Sequence, residues 1–126
     1  VNFITDQRIA NAQRYDEGFA DLGEHIVIPP RRPELKQVFH TYVIQAADRD
    51  GLLKHLVDQG IEAKVHYPIP LHLQEAAHYL GYKQGDFPVC EEHCDSIISL
   101  PVHEHLTEDE KAYMISQVRE FYVGTG

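Results

Sequence analysis

The segment from residue 66 to residue 74, His-Tyr-Pro-Ile-Pro-Leu-His-Leu-Gln, constrains the fold more than any other part of this chain. It contains two prolines, Pro68 and Pro70, and it follows a strand-like run from Ile61 to Val65. Proline fixes φ and has no amide hydrogen to donate, so neither a helix nor an interior strand can continue through this segment. We therefore predict a stiff, irregular loop at the end of a strand, where polar side chains are often held for a ligand.

The composition is that of a globular protein, and it excludes several functional classes. The chain has 126 residues, enough for one domain, of which 43% are hydrophobic and 25% are charged. The formal net charge is −9 and no basic stripe interrupts it, so we do not expect the chain to bind nucleic acid. The sequence has no apolar run of membrane-spanning length and no signal-peptide pattern, so we expect a cytoplasmic protein without a membrane contact.

Hydrophobic periodicity predicts an α+β domain. The order helix, strand, strand, helix, strand, helix, helix, strand, helix favours a small, mainly antiparallel sheet of three or four strands, with helices packed on one face. We expect a long linker helix in residues 1–23 and the small domain in residues 24–126. The other face of the sheet would then be free for something absent from this chain to cover. The predicted helices cover residues 6–21, 49–59 and 74–80. A fourth helix is predicted to begin near residue 88 and a fifth after residue 107. The predicted strands are 25–28, 38–46, 61–66 and 97–100.

Residues at the helix ends support these boundaries. Thr5 and Asp48 can act as N-caps, and residues 107–110 match a capping box. Gly60 and Gly81 follow predicted helices, where a left-handed backbone is often needed. The residues of the second helix that are predicted to face the core are Leu52, Leu53, Leu56 and Val57.

The proline-rich loop is the best candidate for a binding site. His66 and Tyr67 lie where the preceding strand is predicted to end, and Lys64 lies on the same strand face as His66. From residue types alone, a ligand-facing loop and a structural turn both remain possible. A metal site is disfavoured, because the spacing of His66 and His72 does not supply a predictable third ligand.

Cys90 and Cys94 are the only cysteines, and they are four residues apart on a predicted helix, so their side chains share one face. We interpret them as small buried core residues in a reducing compartment, because a disulfide framework needs more cysteines. A zinc site that combined them with His93, His103 and His105 is disfavoured, since His93 lies about 100° from the cysteines around a regular helix. Buried thiols and solvated histidines are the interpretation that we favour.

No catalytic centre is evident in the sequence. A lysine that forms a Schiff base must be desolvated or lie beside another positive charge. Only Lys64 is near the candidate loop, and nothing in the sequence indicates that it is desolvated. The sequence also has no glycine-rich phosphate loop and no nucleophile elbow. Taken alone, the chain does not contain the chemistry of an enzyme. The lysines at polar positions elsewhere, which we expect to be exposed, are Lys36, Lys54, Lys83 and Lys111.

Four stretches resemble, in order and spacing, the DegT/DnrJ/EryC1/StrS family of pyridoxal-phosphate-dependent sugar aminotransferases. Residues 60–74 are similar to the Gly-Ile, His-Tyr-Pro, Pro-Leu-His and Gln signature of that family. Residues 8–22 resemble its long linker helix, and residues 39–44 resemble its His, Tyr-Val-Ile strand. Residues 85–110 resemble its C-terminal end, so that the likeness runs from about residue 8 to residue 121.

The resemblance covers only the small C-terminal domain of such enzymes. It implies a full-length protein that uses pyridoxal 5'-phosphate to transfer an amino group from glutamate to a keto-sugar linked to a nucleotide diphosphate. It also implies a homodimer with active sites at the subunit interface. In the family the large domain carries the cofactor lysine, so we expect this fragment to bind no cofactor and to be inactive alone.

By the same resemblance, the loop faces the active-site cleft and helps to hold the sugar nucleotide. Imidazole and phenol groups can donate hydrogen bonds to diphosphate or sugar oxygens, and Lys64 would add a positive charge. The substrate-binding residues that we predict are therefore His66, Tyr67, Lys64 and His72. The alternative is a non-catalytic binding or regulatory domain that shares this fold, and a replaced cofactor lysine in the full-length sequence would favour it.

Overall fold

The computed structural model describes residues 2–124, which form four α-helices and a three-stranded sheet. Two short 3₁₀ segments, Leu71–Leu73 and Glu75–Leu80, follow the proline-rich loop. No helix in this part of the chain is long and apolar enough to cross a membrane. The helices are α1 (Asn2–Gly18), α2 (Arg49–Asp58), α3 (Pro88–Ser96) and α4 (Glu108–Val123), and the strands are β1 (Ile26–Val27), β2 (Tyr42–Ala46) and β3 (Ile97–Leu100).

The sheet has the order β1-β2-β3, and both strand pairs are antiparallel. Burial alternates along β2: Tyr42 and Ile44 are buried, whereas Val43 and Gln45 are half-buried. Ile44 is paired with Ile98 of β3, so these two isoleucines share the buried face. The predicted α+β class and the mainly antiparallel sheet are confirmed.

Helices α1, α2 and α4 cover the buried face of the sheet and form one core with it. Helix α4 contacts both α1 and α2. Helix α1 adds Ala12 and Tyr15 to the same core, and Phe19 follows directly after the helix, so the helix predicted as a linker packs against the small domain. The most deeply buried members of this core include Tyr15, Phe19, Ile44, Leu52, Leu56, Ile98 and Val118.

Two buried tyrosines fasten α1 to the sheet. The Tyr15 hydroxyl donates a hydrogen bond to the Pro101 carbonyl at 2.6 Å, and the Tyr42 hydroxyl donates to the Asp16 carboxylate at 2.7 Å. Arg31 approaches the same carboxylate with two nitrogens, at 3.0 and 3.1 Å. Burial raises the pKa of both tyrosines, so the hydroxyls remain protonated donors over the neutral range.

Three predicted boundaries are wrong. Helix α1 begins at Asn2, which places Thr5 inside the helix and excludes it as an N-cap. The strand predicted for residues 38–46 begins only at Tyr42, because Phe39 has a left-handed φ of 52°. The strand predicted for residues 61–66 is reduced to one bridge, between Lys64 and Ser99.

Helix α1 ends at Gly18, three residues before the predicted end at residue 21, and the helix predicted for residues 74–80 is a 3₁₀ segment from Glu75 to Leu80. Three predictions for helix ends are confirmed. Asp48 caps α2 by accepting a hydrogen bond from the Gly51 amide, and Thr107 forms the predicted capping box with Glu110. Gly60 has the left-handed backbone that we predicted, with φ of 82°.

Two predictions about burial are wrong. Val57 is 53% exposed, because α2 turns it away from the core. Cys94 is buried as predicted, but Cys90 is exposed, because it lines an open apolar groove that no element of the described chain covers.

Candidate functional site

The proline-rich loop is attached to the sheet through Lys64. The Lys64 amide donates to the Ser99 carbonyl at 3.0 Å, and the Ser99 amide donates to the Lys64 carbonyl at 2.8 Å. Because Ser99 is also paired with Val43, the side chains of these residues lie on the face of the sheet opposite to the core. His66 is two residues further along the chain and is exposed. The bridge therefore places Lys64 and His66 beside the open face of the sheet.

The backbone turns sharply at Tyr67, which has a φ of 57°. Left-handed backbone is uncommon for a residue other than glycine and costs about 1–3 kcal/mol, so surrounding contacts must maintain it. Beyond the turn, Leu73 donates its amide to the Pro70 carbonyl, and the Gln74 side chain donates to the Ile69 carbonyl at 3.2 Å. These bonds confirm the predicted irregular loop, and the turn directs Tyr67 away from His66.

A polar cleft of about 200 Å³ lies beside Lys64 and His66. Its walls come from α1, from the residues that precede β2 and from the chain that follows β3. The cleft is mainly basic, since Glu62 is its only acidic lining residue. Its charged and imidazole side chains are Arg8, His40, Glu62, Lys64, His66 and His103.

Helix α1 holds two of the histidine-bearing segments of this cleft. The Arg8 guanidinium donates to the carbonyls of Phe39 and His40, at 3.1 and 2.9 Å. The Asn11 side-chain amide is buried and donates to the carbonyls of Val102 and His103, at 3.2 and 2.9 Å. The positions of His40 and His103 therefore depend on contacts with residues far away in the sequence.

The charges around the cleft favour an anionic ligand. Glu104, which lies 3.4 Å from Arg8, has a lowered pKa, chiefly because its carboxylate accepts a hydrogen bond from its own backbone amide and also because of His105 and Arg8. The Glu104 carboxylate therefore neutralises part of the positive charge of Arg8. The Lys64 ammonium has no carboxylate partner within 4.0 Å among the described residues. Charged ammonium and guanidinium donors bind phosphate oxygens strongly, and an imidazole N–H can add a directional hydrogen bond.

Tyr67 lies in a different depression from Lys64 and His66. Its ring is 69% exposed and lines an apolar groove that also contains Ile69, Leu71 and Phe87. The structure therefore brings together two of the predicted substrate-binding residues, Lys64 and His66, and places Tyr67 at the border with a second surface.

His72 lies beneath the loop and is only 7% exposed. Its ring packs edge-on against Phe87 with ring centroids 4.8 Å apart, and its Nε2 atom lies 3.6 Å from Glu91 Oε2. The Glu91 carboxylate also accepts the backbone amides of Gly85, at 2.8 and 3.0 Å, and Phe87, at 3.3 Å. Glu91 and His72 therefore join the proline-rich loop to the residues that precede α3.

Replacing Glu91 with glutamine is expected to destabilise the domain by about 1–2 kcal/mol. The change removes the charge from the carboxylate that accepts two amide hydrogen bonds and faces His72. Urea unfolding followed by circular dichroism would measure the loss of stability. The matched control is Glu92→Gln, at the exposed neighbouring position. Equal stability of the two variants would show that the Glu91 contacts do not hold the loop.

Sequence reasoning missed Arg8, His40 and His103 as members of the cleft. No local signal marks them, because they join the cleft only through the packing of α1 against the ends of β2 and β3. The structure also shows no metal site among residues 2–124, where no group of three or more His, Cys, Asp or Glu side chains could hold an ion.

Comparison with known proteins identifies the family. Residues 1–119 match the family model described as the DegT/DnrJ/EryC1/StrS aminotransferase family. This chain belongs to that family. The match extends over the cleft, the proline-rich loop and nearly all of α4.

Individual members of the DegT/DnrJ/EryC1/StrS family align with most of this chain. The chain is 37% identical over 119 residues to the pleiotropic regulatory protein of Geobacillus stearothermophilus, covering 94% of the chain and 32% of that protein. It is 33% identical to dTDP-3-amino-3,4,6-trideoxy-alpha-D-glucose transaminase of Streptomyces venezuelae, covering 91% of the chain and 30% of that protein. The crystal structure of S. venezuelae DesV superposes with a TM-score of 0.89 at 32% identity, covering 94% of the chain and 32% of DesV.

The chain therefore spans about a third of the length of the family members that it matches. Several of these relatives are sugar transaminases by name. The small α+β fold that we predicted from the sequence is the fold of the matching part of DesV.

Proposed function

We propose that this chain is the C-terminal part of a pyridoxal-phosphate-dependent aminotransferase that moves an amino group from glutamate to a nucleotide-linked keto-sugar. The observation that carries the proposal is the family match over residues 1–119, with sugar transaminases among relatives that are about three times as long. The active protein would combine this chain with the remaining two-thirds of the relatives' length, and we call that combination the longer protein. We further propose that it is a homodimer.

In this proposal the basic cleft holds the anionic part of the sugar nucleotide. The Lys64 ammonium supplies a positive charge, and the His66 imidazole supplies a directional donor two residues away. Tyr67, on the border of the cleft, would donate its hydroxyl to a sugar oxygen. A substrate contact from His72 would require the loop to open, because its imidazole is buried against Phe87. The roles of these residues are to bind and orient the substrate.

Pyridoxal phosphate would supply the electron-withdrawing ring that makes amino transfer possible. None of the lysines among residues 2–124 is placed to hold it covalently. Lys111 has a largely buried side chain, 13% exposed, but its ammonium binds Asn11 at 3.0 Å and Glu108 at 3.1 Å and is not free to act as a nucleophile. The exposed lysines, which are not desolvated, are Lys36, Lys54, Lys64 and Lys83. The cofactor would therefore be held by the part of the longer protein that this chain does not include.

Removing the donors of the cleft is expected to weaken substrate binding. In the longer protein, Lys64→Ala or His66→Ala should lower the affinity for a nucleotide-linked sugar by about 10–100-fold, because each removes a charged or directional donor to an anion. Isothermal titration calorimetry with the nucleotide sugar would measure this. The matched control is Lys54→Ala, since Lys54 lies on α2 and pairs with Asp58 at 2.6 Å, away from the cleft.

Two results would contradict the proposed function. The first is unchanged affinity in both cleft variants, which would remove the cleft from the substrate site. The second is the absence of 2-oxoglutarate when the longer protein is incubated with pyridoxal phosphate, glutamate and nucleotide-linked keto-sugars. That result would show that the protein does not catalyse the proposed reaction.

A non-catalytic regulatory role is the second candidate. One relative is named a pleiotropic regulatory protein, and another is named the erythromycin biosynthesis sensory transduction protein EryC1. A longer protein that binds the nucleotide sugar through Lys64 and His66 but has its cofactor lysine replaced would support this role over catalysis.

A further inference from the structure

The imidazole of His103, which lines the basic cleft, is held in one tautomer by its own loop. Its Nδ1 atom accepts the backbone amide of His105 at 3.3 Å. A neutral imidazole has one nitrogen that accepts a hydrogen bond and one that carries the proton. Because Nδ1 is the acceptor, the proton of neutral His103 lies on Nε2. This leaves an N–H donor for a ligand in the cleft.

The backbone that carries this donor is fixed by contacts with α1 and α4. The His103 carbonyl accepts the Asn11 side-chain amide at 2.9 Å and the Leu106 backbone amide at 3.2 Å. Asn11 is only 1% exposed, and its Oδ1 atom accepts the Lys111 ammonium of α4 at 3.0 Å. A donor on a fixed backbone loses little conformational entropy when a ligand binds. Its hydrogen bond therefore contributes more to affinity than one from a mobile loop.

The His103 imidazole is not occupied by an ion pair within the part of the chain that the structure describes. No carboxylate of residues 2–124 lies within 4.0 Å of it. The adjacent Glu104 carboxylate lies 3.4 Å from Arg8 and 3.6 Å from His105 instead. The charged and imidazole groups around His103 are Arg8, His40, Glu62, Lys64 and His66 in the cleft, Glu104 and His105 in its own loop, and Glu110 on the adjoining first turn of α4.

The volume of the cleft decides which part of a nucleotide sugar it can hold. Sites that enclose a whole drug-sized ligand measure about 300–1,000 Å³. The cleft measures about 200 Å³, so it can enclose only one group of a nucleotide sugar. Lys64 and Arg8 are positively charged, which makes the anionic diphosphate the group that matches the cleft.

We propose that His103 is a further substrate-binding residue, whose Nε2–H donates to an oxygen of the diphosphate in a nucleotide-linked sugar. Lys64 binds the same group from another segment of the chain, so that two donors fix its position. Because the tautomer already presents the N–H, the contact does not require His103 to be positively charged. This inference rests on the proposed function in one respect, namely that the ligand of the cleft is a nucleotide sugar.

Three substitutions of His103 in the longer protein test the donor. The amide nitrogen of glutamine lies close to the position of Nε2, that of asparagine lies close to Nδ1, and leucine has no donor. His103→Leu and His103→Asn are expected to weaken binding by about 10-fold, and His103→Gln by less than about 3-fold. Titration calorimetry would measure the affinities for dTDP-glucose and UDP-N-acetylglucosamine, because dTDP-sugars and UDP-sugars both occur in the names of the relatives.

His105→Leu is the matched control. The His105 side chain is 83% exposed and is not in the cleft lining, and the substitution keeps the backbone amide that His103 accepts. This variant should bind both probes as the unmodified protein does. Urea unfolding would show whether any variant has lost stability. The comparison of His103→Gln with His103→Asn remains decisive if His103→Leu does not fold.

Truncated ligands show which group His103 contacts. UDP and dTDP keep the diphosphate but lack the sugar, so His103→Leu should weaken their binding by a similar factor. A loss confined to the sugar-bearing probes would overturn the contact with the diphosphate. Unchanged affinity in His103→Leu would overturn the proposal, and so would equal weakening by glutamine and asparagine, which a purely structural role predicts. Failure of the unmodified longer protein to bind either sugar probe would overturn it as well.

These measurements are made without glutamate and do not depend on turnover. A longer protein that shows the expected pattern at His103 but produces no 2-oxoglutarate would refute the proposed reaction and leave the role of His103 standing. An active longer protein in which His103→Leu binds normally would refute the role of His103 alone.

Discussion

Replacing Arg49 with methionine is expected to destabilise this domain by about 3–5 kcal/mol. Arg49 is only 8% exposed, and its Nη1 atom donates to the carbonyls of Cys94 and Ile97, at 2.8 and 2.9 Å. These carbonyls lie at the junction of α3 and β3, where the end of a helix leaves acceptors without intrahelical partners. Methionine fills a similar volume but leaves both acceptors unsatisfied. Urea unfolding of the chain would measure the change.

Two further variants make this prediction specific. Arg49→Lys keeps the charge but has a single donor atom, so it should recover only part of the lost stability. Lys54→Met, on the same helix but with a side chain that is 79% exposed, should change stability by less than about 0.5 kcal/mol. If Arg49→Met were as stable as Lys54→Met, the junction would not depend on this guanidinium.

The Arg49 contacts also connect the stability of the fold to the two surfaces discussed above. The α3–β3 junction lies between the apolar groove that contains Tyr67, Cys94 and Ile97 and Ser99, which holds Lys64 at the basic cleft. Loss of the junction would therefore disturb both the groove and the bridge that positions the loop. Stability and substrate binding should decline together in Arg49→Met, whereas Lys64→Ala should affect binding alone.

Local signals in the sequence were sufficient to predict most of the elements. The capping box at Thr107 marks the start of α4, Asp48 marks the start of α2, and Pro101 directly follows β3. The prolines at 68 and 70 predicted the irregular loop for a physical reason that tertiary contacts cannot remove. The family resemblance then added the fold of the whole domain, which the match with DesV confirms.

The basic cleft could not be predicted in the same way, because long-range contacts build it. Arg8 bonds to carbonyls about thirty residues away, and Asn11 to carbonyls about ninety residues away. The single bridge between Lys64 and Ser99, rather than a full strand, decides which face Lys64 occupies. Cys90 and Cys94 show a related limit: their spacing predicts a shared helix face, but only the tertiary fold decides which of them is covered.

Alkaline pH is expected to unfold this domain because of its two fully buried tyrosines. Tyr15 and Tyr42 are 0% exposed, and their pKa values are raised chiefly by burial, which penalises the tyrosinate form. For Tyr42, the hydrogen bond to Asp16 raises the pKa further. Burial also raises the pKa of Tyr122, to about 12. The phenol of a tyrosine in an unfolded chain has a pKa of about 10.

The sign of the effect follows from the raised pKa values. Below about pH 10 the native and unfolded chains carry the same phenol protons, so these groups add no pH dependence. Above it, the unfolded chain releases protons that native Tyr15, Tyr42 and Tyr122 retain, so stability falls by up to about 4.1 kcal/mol per pH unit. Urea midpoints at pH values between about 9 and 11 would measure this slope, and absorbance at about 295 nm would report tyrosinate.

Tyr42→Phe separates the titration from a simple loss of stability. The variant loses the hydrogen bond to Asp16 and should be less stable at every pH, but it has one fewer buried phenol to titrate. Its slope above about pH 10 should therefore be roughly two-thirds that of the unmodified chain, because Tyr15 and Tyr122 still titrate. An unchanged slope would mean that the Tyr42 hydroxyl does not couple to unfolding, and would contradict the closed packing of α1 against β2 on which the placement of Arg8 at the cleft depends.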